Sequence, residues 1–76
     1  MRVHLGGHLS WYDPRKRSWL ELSQPEPVSL LDLASRLGVP AAEIAIAAVN
    51  GRAVELETTV ATDGDKVEFY PPLGGG

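Results

Sequence analysis

The residues with the most distinctive chemistry stand at the end of the sequence. The last six are Pro71, Pro72, Leu73, Gly74, Gly75 and Gly76. A stiff diproline therefore precedes a strip of backbone without side chains. The free carboxylate of Gly76 is the candidate reacting group. Alternatively, the glycines are a solvated end or a remnant of an expression vector.

Glycine is the residue type best suited to a tail that enters a narrow channel. Without a Cβ, the backbone stays slim and reaches conformations that are closed to other residues. At about 3.3–3.6 Å per extended residue, the six-residue tail spans roughly 20 Å, enough to reach a neighbouring active site. We therefore assign the reaction to Gly76 and the threading of the tail to Gly75, Gly74, Leu73, Pro72 and Pro71.

The remaining reactive residue types do not predict catalysis or metal binding. The chain has no cysteine, which excludes a thiolate zinc site and a cysteine nucleophile. His4 and His8 fall on one face of the predicted first strand, about 13 Å apart at the usual rise, so we predict no metal site. The sequence lacks a glycine-rich loop followed by Lys-Ser or Lys-Thr. We therefore expect no cofactor on this chain.

Size and charge limit the kinds of partner. A chain of 76 residues predicts one domain. Trp11, Tyr12 and Trp19 flank the basic turn Arg15-Lys16-Arg17, an arrangement similar to that of a single-strand nucleic-acid binder. The net charge of −3, from ten acids and seven bases, opposes that interpretation. Packing within a hairpin is the preferred account, and we expect no nucleic-acid partner.

The sequence also predicts no membrane segment. Its longest apolar run covers residues 44–49, six residues against the roughly twenty that a membrane helix requires. The N-terminus lacks a basic segment leading into an apolar run. We expect a cytoplasmic protein without a membrane partner.

Hydrophobic periodicity predicts an alternation of strands and one helix. Strands with a period of two are expected over residues 2–10, 18–22, 46–50, 52–56 and 66–70. In the last of these, Val67 and Phe69 point inward, whereas Lys66, Glu68 and Tyr70 point outward. A single helical turn is expected over residues 40–43, and the turns are marked by Asp13-Pro14, Asn50-Gly51 and Asp63-Gly64-Asp65.

The predicted helix begins after Ser29 and ends at Gly38. Ser29 is a suitable N-cap, and Asp32 completes a near capping box. The apolar stripe consists of Leu30, Leu33, Ala34 and Leu37. Asp32 and Arg36 are spaced for an ion pair on the wet face, and Gly38 followed by Pro40 stops the helix.

The order β-β-α-β-β-β predicts an α+β fold of the β-grasp (ubiquitin-like) type. A helix lies across one face of a mixed sheet, and a right-handed crossover places the last strand parallel to the first. We expect a β-grasp domain over residues 1–70 and a flexible tail over residues 71–76. Because residues 44–49 are apolar on both parities, Ala47 and Val49 are candidate docking residues; the alternative is a central strand shielded by its neighbours.

Four segments carry a resemblance to a known family. They are Val28-Ser29-Leu30-Leu31-Asp32-Leu33, Val49-Asn50-Gly51-Arg52, Asp63-Gly64-Asp65-Lys66-Val67 and Pro71-Pro72-Leu73-Gly74-Gly75-Gly76. Together they resemble the MoaD/ThiS family of ubiquitin-like sulfur carriers. The diproline followed by an aliphatic residue and glycines is most similar to the small subunit of molybdopterin synthase.

The resemblance implies a carrier and not an enzyme. An adenylating activating enzyme would use ATP to activate Gly76, which would then become a thiocarboxylate. The large subunit of molybdopterin synthase would use that sulfur to build molybdopterin, the ligand of the molybdenum or tungsten cofactor. Sulfur donation for thiazole synthesis, a ubiquitin-like protein modifier and a non-catalytic interaction module stay open as alternatives. No motif of the family matches His4, Gly6, Gly7, His8 or the basic turn Arg15-Lys16-Arg17.

Overall fold

The computed structural model describes residues 1–73, so the predicted tail residues Gly74, Gly75 and Gly76 lie outside the described residues. Its strands are β1 (Arg2–Leu5), β2 (Trp19–Glu21), β3 (Val28–Ser29), β4 (Ile46–Val49), β5 (Arg52–Val54), β6 (Val60–Ala61) and β7 (Lys66–Tyr70). The helix α1 (Leu30–Arg36) follows β3, and short 3₁₀ helices cover Gly7–Tyr12 and Ala41–Glu43. In the described part of the chain, no helix combines the length and apolar character that crossing a membrane requires.

The strands form a five-stranded mixed sheet in the order β2-β1-β7-β4-β5. β1 runs parallel to β7, from Arg2 opposite Lys66 to Leu5 opposite Phe69, and the other neighbours are antiparallel. This arrangement confirms the α+β, ubiquitin-like β-grasp fold, including the parallel pairing of the first and last strands. A second, two-stranded sheet of β3 and β6 was not expected from the sequence.

The hydrophobic core fills the space between the large sheet and α1. Val67 and Phe69 of β7 are fully buried, whereas Lys66, Glu68 and Tyr70 are half-buried on the other side, which confirms the predicted inward and outward parities. The largest fully buried side chains are Phe69, Leu5, Leu9, Leu30, Leu33, Val3 and Val67. These residues come from β1, β7, α1 and the first 3₁₀ helix, so the core joins both ends of the chain.

The predicted first strand over residues 2–10 is wrong beyond Leu5. Gly7 has a φ of +51°, and the chain turns there into a 3₁₀ helix whose first bond joins the Leu9 amide to the Gly6 carbonyl at 3.0 Å. Leu9 still reaches the core, but from a helical turn. The alternation of apolar and polar residues continues past Gly6 and Gly7 only by coincidence. Because His8 lies in the 3₁₀ helix, it does not share a strand face with His4.

The helix α1 has the predicted cap and stop. The Asp32 amide donates to the Ser29 hydroxyl at 3.0 Å. At the other end, Gly38 has a φ of +76°. The Val39 amide donates to the Ala34 carbonyl and the Gly38 amide donates to the Ser35 carbonyl. These are the two hydrogen bonds of a Schellman motif.

The predicted Asp32–Arg36 ion pair does not form. Arg36 instead donates from Nη1 to the Gln24 side chain at 3.1 Å. The same amide donates from Nε2 to the Glu26 carbonyl at 2.7 Å. Arg36 therefore ties α1 to the connector that precedes it.

β4 presents the candidate docking residues to the core side of the sheet. Ala47 lies opposite Phe69, Val49 lies opposite Val67, and Ala47 is only 3% exposed. Ala47 and Val49 therefore face the core, which matches the alternative of a shielded central strand and argues against docking through these two side chains. Ile46 and Ala48 occupy the open side of β4, where the side chain of Ile46 is 47% exposed.

The Asn50-Gly51 hairpin turn forms as predicted and contacts the Asp63-Gly64-Asp65 turn. Asn50 and Gly51 have φ values of +52° and +82°, as a type I′ turn requires. The Asn50 side chain donates to Asp65 at 2.8 Å and accepts from the Lys66 amide at 2.9 Å. β5 ends at Val54, two residues before its predicted end at Leu56.

The basic turn is organised by a single carboxylate. Asp13, only 5% exposed, accepts from the amides of Arg15 and Arg17 and from the Arg17 guanidinium, all at 2.9–3.0 Å. The hydrogen bonds from the Arg17 side chain, followed by the one from its amide, hold the pKa of Asp13 well below its usual range. Lys16, with a φ of +57°, donates to the Trp11 carbonyl at 3.2 Å.

We expect Ala47→Asp to destabilise the fold by more than about 3 kcal/mol, because it places an unpaired carboxylate in the core. The matched control is Ala53→Asp, at an exposed position of β5, which we expect to cost less than about 1 kcal/mol. Urea denaturation followed by circular dichroism measures both. Equal losses for the two variants would contradict the assignment of Ala47 to the core.

We expect the Asp13 carboxylate to stabilise the fold only above the pH range in which it titrates in the unfolded chain. Because its pKa is lowered by folding, its contribution is lost as the pH falls below about 4. Asp13→Asn should flatten the acid limb of a plot of melting temperature against pH. Arg17→Lys keeps the positive charge but lacks the guanidinium group, so its melting curve against pH should lie between those of the unmodified protein and of Asp13→Asn. An unchanged acid limb in Asp13→Asn would contradict the expectation.

Candidate functional site

The candidate site is the point at which β7 ends and the predicted tail begins. β7 lies between β1 and β4, so both of its edges are hydrogen-bonded. The Phe69 carbonyl accepts from the Gly6 amide and the Tyr70 carbonyl accepts from the Ala45 amide, both at 2.8 Å. The backbone is therefore held from both sides up to Tyr70.

Beyond Tyr70 the chain leaves the sheet. Pro71 and Pro72 have no amide hydrogen and cannot continue the pairing of β7. Pro71 is half-buried, Pro72 is exposed, and the Leu73 side chain is 95% exposed. The predicted reactive residue Gly76 and its neighbours Gly75 and Gly74 lie outside the described residues, so their assigned roles stay predictions.

Two glycines that match no motif lie directly against the base of the tail. A Cβ at Gly6 would meet the ring of Tyr70, and a Cβ at Gly7 would meet the ring of Pro71. The sequence contained a signal for this contact, since glycine inside a strand pattern often marks the close approach of another backbone segment. The sequence did not indicate which segment approaches.

On the open side of the sheet, Tyr70 belongs to a row of stacked side chains. The ring of His4 lies 4.6 Å from that of Trp19 and 5.5 Å from that of Tyr70, measured between centroids. The Arg2 guanidinium carbon lies 4.5 Å from the Trp19 ring centroid, within the range of a cation–π contact. The Tyr70 hydroxyl donates to Glu68, and this bond is the main cause of a raised Tyr70 pKa.

A shared carboxylate joins the two 3₁₀ helices beside the site. The Tyr12 hydroxyl donates to Glu43 Oε1 at 3.2 Å, and His8 Nε2 lies 3.9 Å from Glu43 Oε2. Burial, followed by the charge of Glu43, raises the pKa of Tyr12. These contacts fix the segment that begins at Gly7 to the segment that leads into Ala45, and both segments touch the base of the tail.

A groove of about 450 Å³ is bordered by Ala45. Its lining is formed mostly by small and aliphatic side chains: Ala41 and Ala42 of the second 3₁₀ helix, Ile44 and Ala45 between that helix and β4, Ala47 of β4, Val54 of β5, Leu56 of the β5–β6 connection and Leu31 of α1. The carboxylates of Glu55 and Glu57 also border it. Ala47 thus borders a groove on the core side, although its own side chain is almost fully buried.

The two histidines do not come together. His4 lies in the row of stacked side chains on β1, whereas His8 lies on the first 3₁₀ helix beside Glu43. Within residues 1–73, no three side chains of His, Cys, Asp or Glu converge in a way that could hold a metal ion.

Comparison with known proteins gives one match. The model of the family described as Mut7-C ubiquitin matches residues 10–74, a span that includes α1 and every strand from β2 to β7. β1 and the Gly6-Gly7 pair precede the matched span. No curated protein and no solved structure matches the chain.

We expect the amides of Gly6 and Ala45 to be among the slowest to exchange with solvent, because their bonds to β7 break only when the central strands separate. The control is the amide of Gly64, on a turn with open space around it. Hydrogen exchange followed by NMR measures all three. Exchange of Gly6 or Ala45 as fast as that of Gly64 would contradict a backbone held up to Tyr70.

Proposed function

Because the chain belongs to the Mut7-C ubiquitin family, we propose that it is a ubiquitin-like sulfur carrier that presents Gly76 to partner enzymes. An activating enzyme would join the Gly76 carboxylate to AMP, with release of pyrophosphate from ATP. A sulfur donor would then displace AMP and leave a C-terminal thiocarboxylate. The chain itself binds no cofactor in this proposal, and ATP is bound by the activating enzyme.

The observation that carries the proposal is the change from a hydrogen-bonded strand to an exposed segment between Tyr70 and Leu73. The backbone is hydrogen-bonded to Gly6 at Phe69 and to Ala45 at Tyr70, and the Leu73 side chain, three residues after Tyr70, is 95% exposed. A carrier needs both properties, since a rigid body gives a partner a surface to recognise while the extension enters the active site. The diproline restricts the extension and so lowers the entropy lost on insertion.

The proposed acceptor pathway is molybdopterin synthesis, with the large subunit of molybdopterin synthase as the second partner. The support is the diproline, aliphatic and glycine pattern of residues 71–76. The Asn50-Gly51 and Asp63-Gly64-Asp65 turns add no pathway information, because they bond to each other at the end of β7 away from the tail. They support the fold of the carrier, and thiazole synthesis therefore stays the alternative pathway.

The open side of the sheet is the proposed docking surface for the activating enzyme. Ile46 lies opposite Tyr70, directly beside the exit of the tail, and its side chain is 47% exposed. Trp19, 41% exposed, extends the same side on β2. These residues replace Ala47 and Val49, which lie on the core side, as the expected contacts of the partner.

A second candidate function is a non-catalytic interaction module. The observation that favours it is the end of the family match at residue 74, which leaves Gly75 and Gly76 outside the matched span. In that case the sheet would bind a partner without any reaction at the tail.

The proposal is tested by the intact mass of the protein isolated from its native cells. We expect a fraction of the molecules to be heavier by about 16 Da, the difference between a carboxylate and a thiocarboxylate, which only direct measurement of the terminus can detect. Fragmentation should place the added mass on Gly76. A variant without Gly75 and Gly76 is the matched control and should never carry it.

The same variant separates the two candidate functions. If it loses sulfur loading but still binds its partner, the tail is the reacting group and the sheet is the docking surface. A native protein that never carries the added mass, together with a truncated variant that supports full function, would contradict the carrier and favour the interaction module.

A further inference from the structure

We propose that Gly6 and Gly7 are positioning residues that form a seat for the tail and set the direction in which residues 71–73 leave the sheet. The purpose of this tail seat rests on the proposed function, whereas its geometry does not. The family match begins at residue 10, so the tail seat is inferred from this chain alone.

Gly6 allows the backbones of β1 and β7 to meet beneath Tyr70. A Cβ at Gly6 would lie 2.5 Å from Tyr70 Cδ1 and 3.1 Å from the Phe69 carbonyl oxygen. Separation of the strands to make room would break the hydrogen bond that the Gly6 amide donates to that same oxygen at 2.8 Å. An added methyl group must therefore displace the Tyr70 ring.

The Tyr70 ring has little freedom to move aside. Its centroid lies 5.5 Å from that of His4, and its hydroxyl donates to Glu68. A shift of the ring away from Gly6 would alter the contact with His4, the hydrogen bond to Glu68, or the backbone of Tyr70 itself. The last change moves the residue from which the tail departs.

Gly7 contacts the first residue of the tail. A Cβ at Gly7 would lie 2.9 Å from Pro71 Cγ and 3.4 Å from Pro71 Cδ. A flexible side chain could rotate away from such a contact, but the proline ring is closed onto its own backbone and fixes φ near −65°. Displacing the ring therefore displaces the backbone of Pro71 and redirects the residues that follow.

Close contact distinguishes these two glycines from the others that the structure describes. A Cβ at Gly38 would come no closer than 3.8 Å to its nearest neighbour, and a Cβ at Gly51 or Gly64 would meet nothing within 4 Å. Gly51 also has a positive φ, +82° against +51° at Gly7. Gly51 therefore shares the backbone strain of Gly7 without the contact to the tail.

The matched variants are Gly7→Ala and Gly51→Ala, with Gly6→Ala and Gly64→Ala as a second pair. Both members of the first pair place alanine at a positive φ and should lose stability through backbone strain. Only Gly7→Ala and Gly6→Ala should change the direction in which residues 71–73 leave the sheet. Residual dipolar couplings of the Cα–Hα bonds of Pro71 and Pro72 report its direction, and a nuclear Overhauser effect between residue 7 and the Pro71 ring reports the contact.

We expect altered Pro71 and Pro72 couplings in Gly7→Ala and unchanged couplings in Gly51→Ala and Gly64→Ala. Unchanged couplings in Gly7→Ala would overturn the tail seat, and so would equal changes in Gly51→Ala. If Gly6→Ala does not fold, the comparison of Gly7→Ala with Gly51→Ala still decides the question. None of these measurements depends on sulfur loading.

Loading of the tail provides the functional readout. At equal folded fractions, kcat/KM for thiocarboxylate formation should fall by about ten- to a hundredfold in Gly7→Ala, since misplacement by about 1 Å can cost that much. Gly51→Ala should load like the wild type. Altered dipolar couplings with unaltered thiocarboxylate formation in Gly7→Ala would overturn the positioning role. If no form is loaded, wild type included, the result would count against the proposed function, and the couplings alone would decide the geometry of the tail seat.

Discussion

The parallel pairing of β1 with β7 is the constraint on which the rest of the structure depends. It places Val3 and Leu5 beside Val67 and Phe69, all fully buried, so the first and last strands form the middle of one sheet. Because parallel strands end at the same edge, the chain that follows β1 meets the chain that follows β7. An antiparallel pairing of the same strands would have sent the 3₁₀ helix and the tail to opposite ends of the molecule.

The sequence predicted the fold wherever periodicity was strong, and it failed where contact between distant segments decides the outcome. The alternation of residues 66–70 and the cap at Ser29 were sufficient to place β7 and α1. β3 and β6 have two residues each, too few for any period, so their sheet could not be seen. The side of Ala47 was open because both parities of β4 are apolar, and only the register with Phe69 decides it.

The candidate site also has one part that the sequence predicted and one part that depends on contacts between distant segments. The composition of residues 71–76 was sufficient to identify a reactive tail as a hypothesis, since glycine and proline have well-defined backbone properties. The Gly6-Gly7 pair could not be assigned, because its role exists only once β1 is paired with β7. The motifs behind the resemblance were also unequal in what they indicate. The turns at Asn50 and Asp65 contact each other at the end of β7 away from the tail, so they indicate a ubiquitin-like fold and carry no information on function.

The open space around Gly64 has a practical consequence. This glycine lies just before β7, at the opposite end of the strand from the exit of the tail, and it has no neighbour within 4 Å of an added Cβ. Since the chain contains no cysteine, a cysteine introduced there would be the single thiol of the molecule. A fluorophore attached to it would report encounters with partner proteins from the opposite end of β7, a full strand length away from Tyr70 and Pro71.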